Sequence, residues 1–167
     1  VRGAAAPEAL ETGSVDLLIG TRRLSTRRAQ RLRLMDQPLA LAVPPDHPQA
    51  GRASISMRET ADETYLMLRE ASSLGALTRD LCRGAGFEPR VAFESDDLST
   101  LRGFVAAGLG VAVLPLTGSG VLDGMTAPLR YIPIEEHTAT QEIALTWSAE
   151  HPLLPAAELF RSHIARL

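Results

Sequence analysis

The sequence contains no lysine and no asparagine, and it has one cysteine and one tryptophan among 167 residues. A single cysteine, Cys82, excludes a disulfide within the chain and is typical of a reducing compartment, so we expect a cytoplasmic protein. No stretch approaches the roughly 18 consecutive apolar residues that a membrane-spanning helix needs. The missing lysine and asparagine fit a GC-rich bacterial genome better than any chemistry, and we infer no function from them.

The charge balance gives the chain no electrostatic reason to bind a polyanion by itself, because its formal net charge is −3. One arginine-rich stretch, 20–33, has no aromatic residues or glycines among its arginines and is interpreted as a solvated loop rather than a nucleic-acid patch. The sequence begins at Val1 with neither an initiating Met nor a signal-peptide pattern, which indicates a longer gene product. Any contact with DNA is therefore expected from residues outside this sequence.

Short apolar strands alternate with helices, and this alternation predicts an α/β fold with mostly parallel sheets covered on both faces. Helices are predicted at 5–12, 72–84, 97–107 and from Pro155 onward. Strands are predicted at 15–19, 39–43, 64–69, 90–94, 111–114, 130–134 and 142–147. The apolar face of the last helix is expected to pack over a sheet and consists of Leu159, Phe160, His163, Ile164 and Leu167.

The most informative stretch is 94–115. Asp96 and Asp97 lie where a helix needs an N-cap, and apolar residues follow at helical spacing. Gly108 and Gly110 can end that helix, and the β-branched run after them predicts a buried strand that Pro115 closes. The apolar helical positions are Leu98, Leu101, Phe104, Val105 and Leu109.

This stretch resembles the effector-binding domain of LysR-type transcriptional regulators, in which a glutamate (here Glu94) precedes the pattern V-A-A-G-x-G-V-x-x-L-P (here 105–115). Two upstream segments support the resemblance in the right order. The segment 38–48 is similar to the family's crossing strand with its V-P-x-x-H-P turn, and 13–19 is similar to its G-x-x-D-L-x-I strand entry. The resemblance covers essentially the whole sequence.

The resemblance implies a two-lobed fold like that of type II periplasmic binding proteins, with mixed, mostly parallel sheets. The outer lobe would comprise 1–43 and 138–167, and the inserted middle lobe 44–137. It implies that a small-molecule effector binds between the lobes, and that no enzymatic activity, cofactor or metal is involved. It also implies that a first strand, a first helix, most of a second strand and a DNA-binding winged helix-turn-helix precede Val1. Homo-oligomers are implied, with a dimer contact expected at helices 5–12 and 74–83.

Ligands of open α/β sheets collect beyond the carboxyl ends of strands, where helix N-termini present unpaired amides. Two strand-to-helix loops of the middle lobe are in such positions. By resemblance, the effector contacts are Ser72, Ser73 and Leu74 after strand 64–69, Asp96, Asp97 and Leu98 after strand 90–94, and Thr21 and Arg22 in the outer lobe.

Plainer structural explanations remain open for these residues. Ser72 and Ser73 are good N-caps with or without a ligand, and so are Asp96 and Asp97. Ionised aspartates facing the ligand would repel a carboxylate that the amides near Ser72 attract. Leu74 could line the site or pack in the core.

Arg69 and Arg22 could bind an acid bidentately, although a surface role suits Arg22 better. The enzyme interpretations are weak because the histidines, His47, His137, His151 and His163, have no partner at metal-site or triad spacing. Cys82 lies on the inward side of a helix, which predicts a buried, unreactive thiol. The competing interpretation of the whole chain is a secreted solute-binding protein of the same fold.

Overall fold

The structure, a computed structural model, describes residues 5–21, 29–116 and 128–166. Within these ranges no helix is both long and apolar enough to cross a bilayer. The elements in chain order are α1 (Ala5–Glu11), β1 (Leu17–Gly20), β2 (Ala29–Val43), a 3₁₀ helix (Met57–Thr60), β3 (Thr64–Leu68), α2 (Ser73–Gly84), β4 (Arg90–Ser95), α3 (Leu98–Ala106), β5 (Ala112–Pro115), β6 (Arg130–Pro133), β7 (Thr140–Ser148) and α4 (Pro155–Ile164).

The chain divides into two compact units. A terminal unit comprises Val1–Asp36 and Glu142–Leu167, and a central unit comprises Gln37–Gln141. Strands β2 and β7 each contribute residues to both units. The lobe boundaries predicted from the sequence, at 43/44 and 137/138, stay a prediction.

The α/β class is confirmed, but the sheets are more antiparallel than predicted. In the terminal unit β1 pairs with β7 antiparallel, and in the central unit β2 pairs antiparallel with both β5 and β6. Strands β3 and β4 pair in parallel. Strands β3 and β4 are parallel because α2 joins them in a β-α-β unit, which is the connection that parallel pairing requires.

Strand β2 is much longer than the 39–43 segment predicted from the sequence. It begins at Ala29, so the interpretation of 20–33 as a solvated loop is wrong for 29–33, while 22–28 lie outside the described residues. In the sheet, β2 is hydrogen-bonded to β7, which lies far along the chain, and two side-chain contacts accompany this pairing. Arg31 donates to Glu142 Oε1 at 2.7 Å, and the indole N–H of Trp147 donates to Gln30 Oε1 at 3.0 Å.

Helix α4 does not bury the apolar face expected from its periodicity. Leu159 is 71% exposed and Phe160 is 44% exposed, and α4 contains no buried residue. A cation–π contact holds it instead, with the Arg161 guanidinium 5.1 Å from the centroid of Trp147. Periodicity shows that a helix has an apolar side, but it does not show that the described residues cover that side.

Strand β3 lies at the centre of the central unit, and its alternating side chains contact helices on both faces. Tyr65 and Met67 pack in one hydrophobic cluster, together with residues of α2. Leu66 packs in a second cluster with residues of α3. The α2 residues are Leu74, Leu81 and Cys82, and the α3 residues are Leu101 and Val105. This period-two alternation fixes which helix covers which face.

A short chain of buried hydrogen bonds crosses the first cluster. Thr60 Oγ1 donates to the Met57 carbonyl oxygen at 2.6 Å, and it lies 2.5 Å from the Tyr65 hydroxyl. Because the threonine proton is used by Met57, Tyr65 is the donor to Thr60. Burial raises the pKa of Tyr65 well above its ordinary value, so the phenol keeps its proton at all physiological pH values.

We predict that Tyr65→Phe lowers the free energy of unfolding by about 1–3 kcal/mol, because it removes a buried hydrogen bond without opening a large cavity. Urea denaturation followed by circular dichroism measures this change. The other tyrosine, Tyr131, is half-buried and provides the control, and Tyr131→Phe should change stability by less than about 0.5 kcal/mol. Equal losses in both variants would contradict the assigned bond.

Candidate functional site

The carboxyl ends of β3 and β4 meet at one edge of the central unit, because the two strands run parallel. Leu68 is paired with Ser95 at this end, and the Arg69 amide donates to the Ser95 carbonyl oxygen at 3.1 Å. Helix α2 begins directly after β3, and α3 begins directly after β4. We call residues 69–75 and 94–98 the two-helix edge. It brings six of the predicted contact residues together.

At the start of α2, Ser72 is the N-cap residue, as predicted. Its Oγ accepts the Gly75 amide proton at 2.9 Å, and its own amide donates to the Arg69 carbonyl oxygen at 2.9 Å. Ser72 and Ser73 are both half-buried. The cap is uncharged, so the positive end of the α2 dipole is not neutralised by its own cap residue. Ligand contact by Ser72 and Ser73 stays a prediction.

At the start of α3 the two aspartates have different roles. Asp97 is the N-cap, and its Oδ2 accepts the Thr100 amide proton at 2.8 Å and the Thr100 hydroxyl proton at 3.0 Å. Asp96 is exposed and forms an ion pair with Arg69, with 3.1 Å between Oδ2 and Nε. The α3 terminus therefore already carries a carboxylate, whereas the α2 terminus does not.

The remaining charges at this edge are paired. Arg79 of α2 binds Glu94 of β4, and its Nε lies 3.9 Å from Glu70 Oε2. With Arg69, Asp96 and Asp97 included, two cations and four carboxylates face this part of the unit, which leaves it net negative. Ion pairs of exposed side chains contribute at most about 1 kcal/mol. A bound anion would therefore depend on backbone amides more than on these side chains.

Leucines 74 and 98 are placed differently. Leu74 is 5% exposed and belongs to the first hydrophobic cluster, so its side chain packs in the core. Leu98 is half-buried and packs against both clusters at the first residue of α3. Of the two open interpretations of Leu74, the structure supports core packing.

The remaining two candidates lie outside the central unit. Thr21 follows β1 directly, belongs to the terminal unit and is half-buried. Arg22 lies outside the described residues. A role for either one in effector binding stays a prediction.

Two residues of the edge were missed by sequence reasoning. Ser95 accepts the Asp97 amide proton on its Oγ at 3.1 Å and the Arg69 amide proton on its carbonyl oxygen. Gly75, in the first turn of α2, lies against the end of β3. The signal for Ser95 was a serine two residues before an aspartate, which is a common turn pattern. The signal for Gly75 was a glycine inside a helix, where glycine is unfavourable unless close packing requires it.

Cys82 is fully buried on α2, as predicted. Burial raises the pKa of its thiol to about 11. Only the thiolate is a strong nucleophile. Cys82 is therefore protonated and shielded in the folded protein at neutral pH.

We predict that a disulfide reagent such as dithionitrobenzoate leaves Cys82 unmodified at neutral pH until the protein is unfolded in urea. Because the raised pKa favours the protonated thiol in the folded state, reactivity should rise only as the pH approaches about 11. The absorbance of the released thiolate measures the reaction. Rapid stoichiometric labelling of the folded chain at neutral pH would contradict the assigned burial.

Comparison with known proteins identifies the fold and the family. The LysR substrate binding domain family matches residues 2–167. YybE, an uncharacterized HTH-type transcriptional regulator of Bacillus subtilis (strain 168), is 30% identical over 158 residues, which cover 94% of this chain and 52% of YybE. The hydrogen peroxide-inducible genes activator of Dickeya chrysanthemi is 30% identical over 147 residues, which cover 86% of this chain and 47% of the activator.

Among solved structures, the effector binding domain of QuiR in complex with shikimate superposes with a TM-score of 0.87 at 22% identity, and the match covers 99% of this chain and 78% of that domain. This likeness confirms the fold expected from the sequence. The chain spans about half the length of the curated relatives it matches. With a family match over nearly its whole length, the chain belongs to the LysR substrate-binding domain family.

Proposed function

We propose that this chain is the effector-sensing part of a cytoplasmic LysR-type transcriptional regulator, and that it binds a small carboxylate at the two-helix edge. The family consists of regulator domains that bind small-molecule effectors, not of enzymes. One observation carries the choice of site: the first turn of α2 has an uncharged cap, Ser72, beside the cation of Arg69. Helix N-termini of this kind attract anions.

The chemical class of the effector follows from the same edge. The carboxylates of Asp96 and Asp97 disfavour a multiply charged anion, whereas one carboxylate can approach the amides of α2 without meeting the cap of α3. Hydroxyl groups on the ligand could then donate to the aspartates. Shikimate, which is named in the QuiR complex, combines one carboxylate with several hydroxyls and provides a concrete first probe.

A peroxide signal is less well supported, although one relative is a hydrogen peroxide-inducible genes activator. Peroxide oxidises accessible thiolates. The single thiol of this chain, Cys82, is buried and protonated. A binding signal therefore fits these residues better than an oxidation signal.

In the proposed mechanism the effector binds one arrangement of the two units better than another and shifts the population toward it. The shift would be relayed through a homo-oligomer to a DNA-binding segment outside this sequence. The competing interpretation, a secreted solute-binding protein, has less support, because YybE and the Dickeya protein are a transcriptional regulator and a genes activator.

We predict that shikimate or a related hydroxylated carboxylate at millimolar concentration raises the melting temperature, because a ligand that binds the folded state stabilises it by mass action. The variant Ser72→Asp should lose this shift while the protein still folds. Aspartate is as good an N-cap as serine, but it places a negative charge where the carboxylate would bind. Differential scanning fluorimetry across a panel of carboxylates and amino acids measures both effects.

The matched control is Leu154→Asp, which adds the same charge at the N-cap of α4 in the terminal unit, where no side-chain cap is present. It should leave the ligand-induced shift unchanged. If no compound in the panel stabilises the wild-type protein, the sensor proposal loses its support. If both aspartate variants lose the shift equally, the site is not at α2.

We also predict that the protein self-associates, with α1 of one copy near α2 of another. Sedimentation velocity over a range of concentrations should show a species of at least twice the monomer mass of 17.9 kDa. The exposed face of α2 can be tested with Asp80→Arg, which reverses one charge at the proposed contact and should shift the equilibrium toward monomer. A monomer at all concentrations would exclude a self-sufficient oligomer of this chain.

A further inference from the structure

A glycine of α2 touches the backbone of β3 at the two-helix edge. A Cβ atom built on Gly75 would overlap the carbonyl oxygens of Leu68 and Arg69 and would lie 2.8 Å from the Arg69 carbonyl carbon. Real Cβ atoms do not approach other heavy atoms so closely. Since the obstacle is backbone, no side-chain rotation can relieve it. Only glycine lets the first turn of α2 rest at this distance from the end of β3.

The second glycine of the same helix has a different environment. Gly84, in the last turn of α2, has no heavy atom within 4 Å of its built Cβ position apart from its chain neighbours and the backbone of its own helix. Both glycines lower helix propensity to a similar degree. Close approach to another element therefore distinguishes Gly75 from Gly84, and helix propensity does not.

Arg69, which Gly75 contacts, also interacts with residues 94–98 of the two-helix edge. Its carbonyl oxygen accepts the Ser72 amide proton, its amide donates to the Ser95 carbonyl oxygen, and its side chain pairs with Asp96. A displacement of α2 away from Arg69 would therefore disturb the loop that leads into α3. Gly75 itself has no hydrogen bond to that loop among the described residues.

From these contacts we infer that Gly75 is a positioning residue, which fixes the N-terminus of α2 relative to the β4–α3 loop through the backbone of Arg69. The inference rests on the proposed function, because it concerns the site proposed there. It makes the edge of the central unit pre-organised before any effector arrives. Binding then costs no rearrangement between the two helix starts.

The test compares Gly75→Ala with Gly84→Ala in the ligand-free chain. Backbone amide chemical shifts of 95–98, measured by NMR, should change in Gly75→Ala and remain at their wild-type values in Gly84→Ala. The melting temperature should fall by several degrees in Gly75→Ala and should be unchanged or higher in Gly84→Ala. A purely structural role for Gly75 would lower the melting temperature but leave the amides of 95–98 unmoved, and this result would overturn the inference.

A second measurement covers the case in which Gly75→Ala does not fold. In the wild-type chain, the amide protons of Arg69 and Gly75 should have the same protection factor against exchange with solvent, because one cooperative opening must expose both. A protection factor of Arg69 that is much lower than that of Gly75 would show that the two move independently, and the inference would fail.

Measurements of ligand affinity distinguish a failure of this inference from a failure of the proposed function. If shikimate binds the wild-type chain, its affinity should fall at least about tenfold in Gly75→Ala and stay near the wild-type value in Gly84→Ala. Unchanged affinity in Gly75→Ala would overturn positioning while leaving the site intact. It is also possible to observe that no probe binds the wild-type chain while the amide chemical shifts of 95–98 still change in Gly75→Ala. That result would contradict the proposed effector but would support the positioning role of Gly75.

Discussion

The parallel pairing of β3 with β4 is the constraint on which the candidate site depends. Parallel strands bring their carboxyl ends to the same edge, and each strand here continues into a helix whose first turn lies at that edge. The pairing is held in place by burial on both faces, since Tyr65 and Leu66 point into different hydrophobic clusters. An antiparallel pair would place the two helix starts at opposite ends, and no common anion site could form.

The two helix starts are chemically unequal, and this inequality sets the character of the edge. Asp97 satisfies the first turn of α3 with its own carboxylate, whereas Ser72 caps α2 without adding charge. Asp96 is turned toward Arg69, so that cation is partly neutralised within the protein. An incoming carboxylate would meet one receptive terminus and one occupied terminus, which favours a fixed orientation of the ligand.

Local signals in the sequence predicted local structure well. The cap at Ser72 and the burial of Cys82 both follow from short-range patterns, and the structure confirms them. The sequence could not decide which of Asp96 and Asp97 caps α3, because both satisfy the pattern; in the structure Asp97 is the cap and Asp96 pairs with Arg69.

Long-range features could not be predicted from the sequence, because they depend on residues that are distant in the chain. The polar start of β2 is a strand because of partners more than 100 residues away, such as Glu142 for Arg31. Alternating polar residues around an arginine predict a loop when those partners are unknown. For α4 the helix was predicted correctly from its periodicity, but its apolar face is exposed, because the described residues do not cover it.

Magnitudes decide which contacts matter for the shape of the edge. The Arg69–Asp96 pair is exposed, with side chains 59% and 78% accessible, so solvent screening leaves it at most about 1 kcal/mol. The contact of Gly75 with the β3 carbonyls is enforced by steric overlap, which neither salt nor pH weakens. The geometry of the edge should therefore persist at high ionic strength even if its electrostatic attraction for an anion declines, so salt would reduce effector affinity without altering the arrangement that receives it.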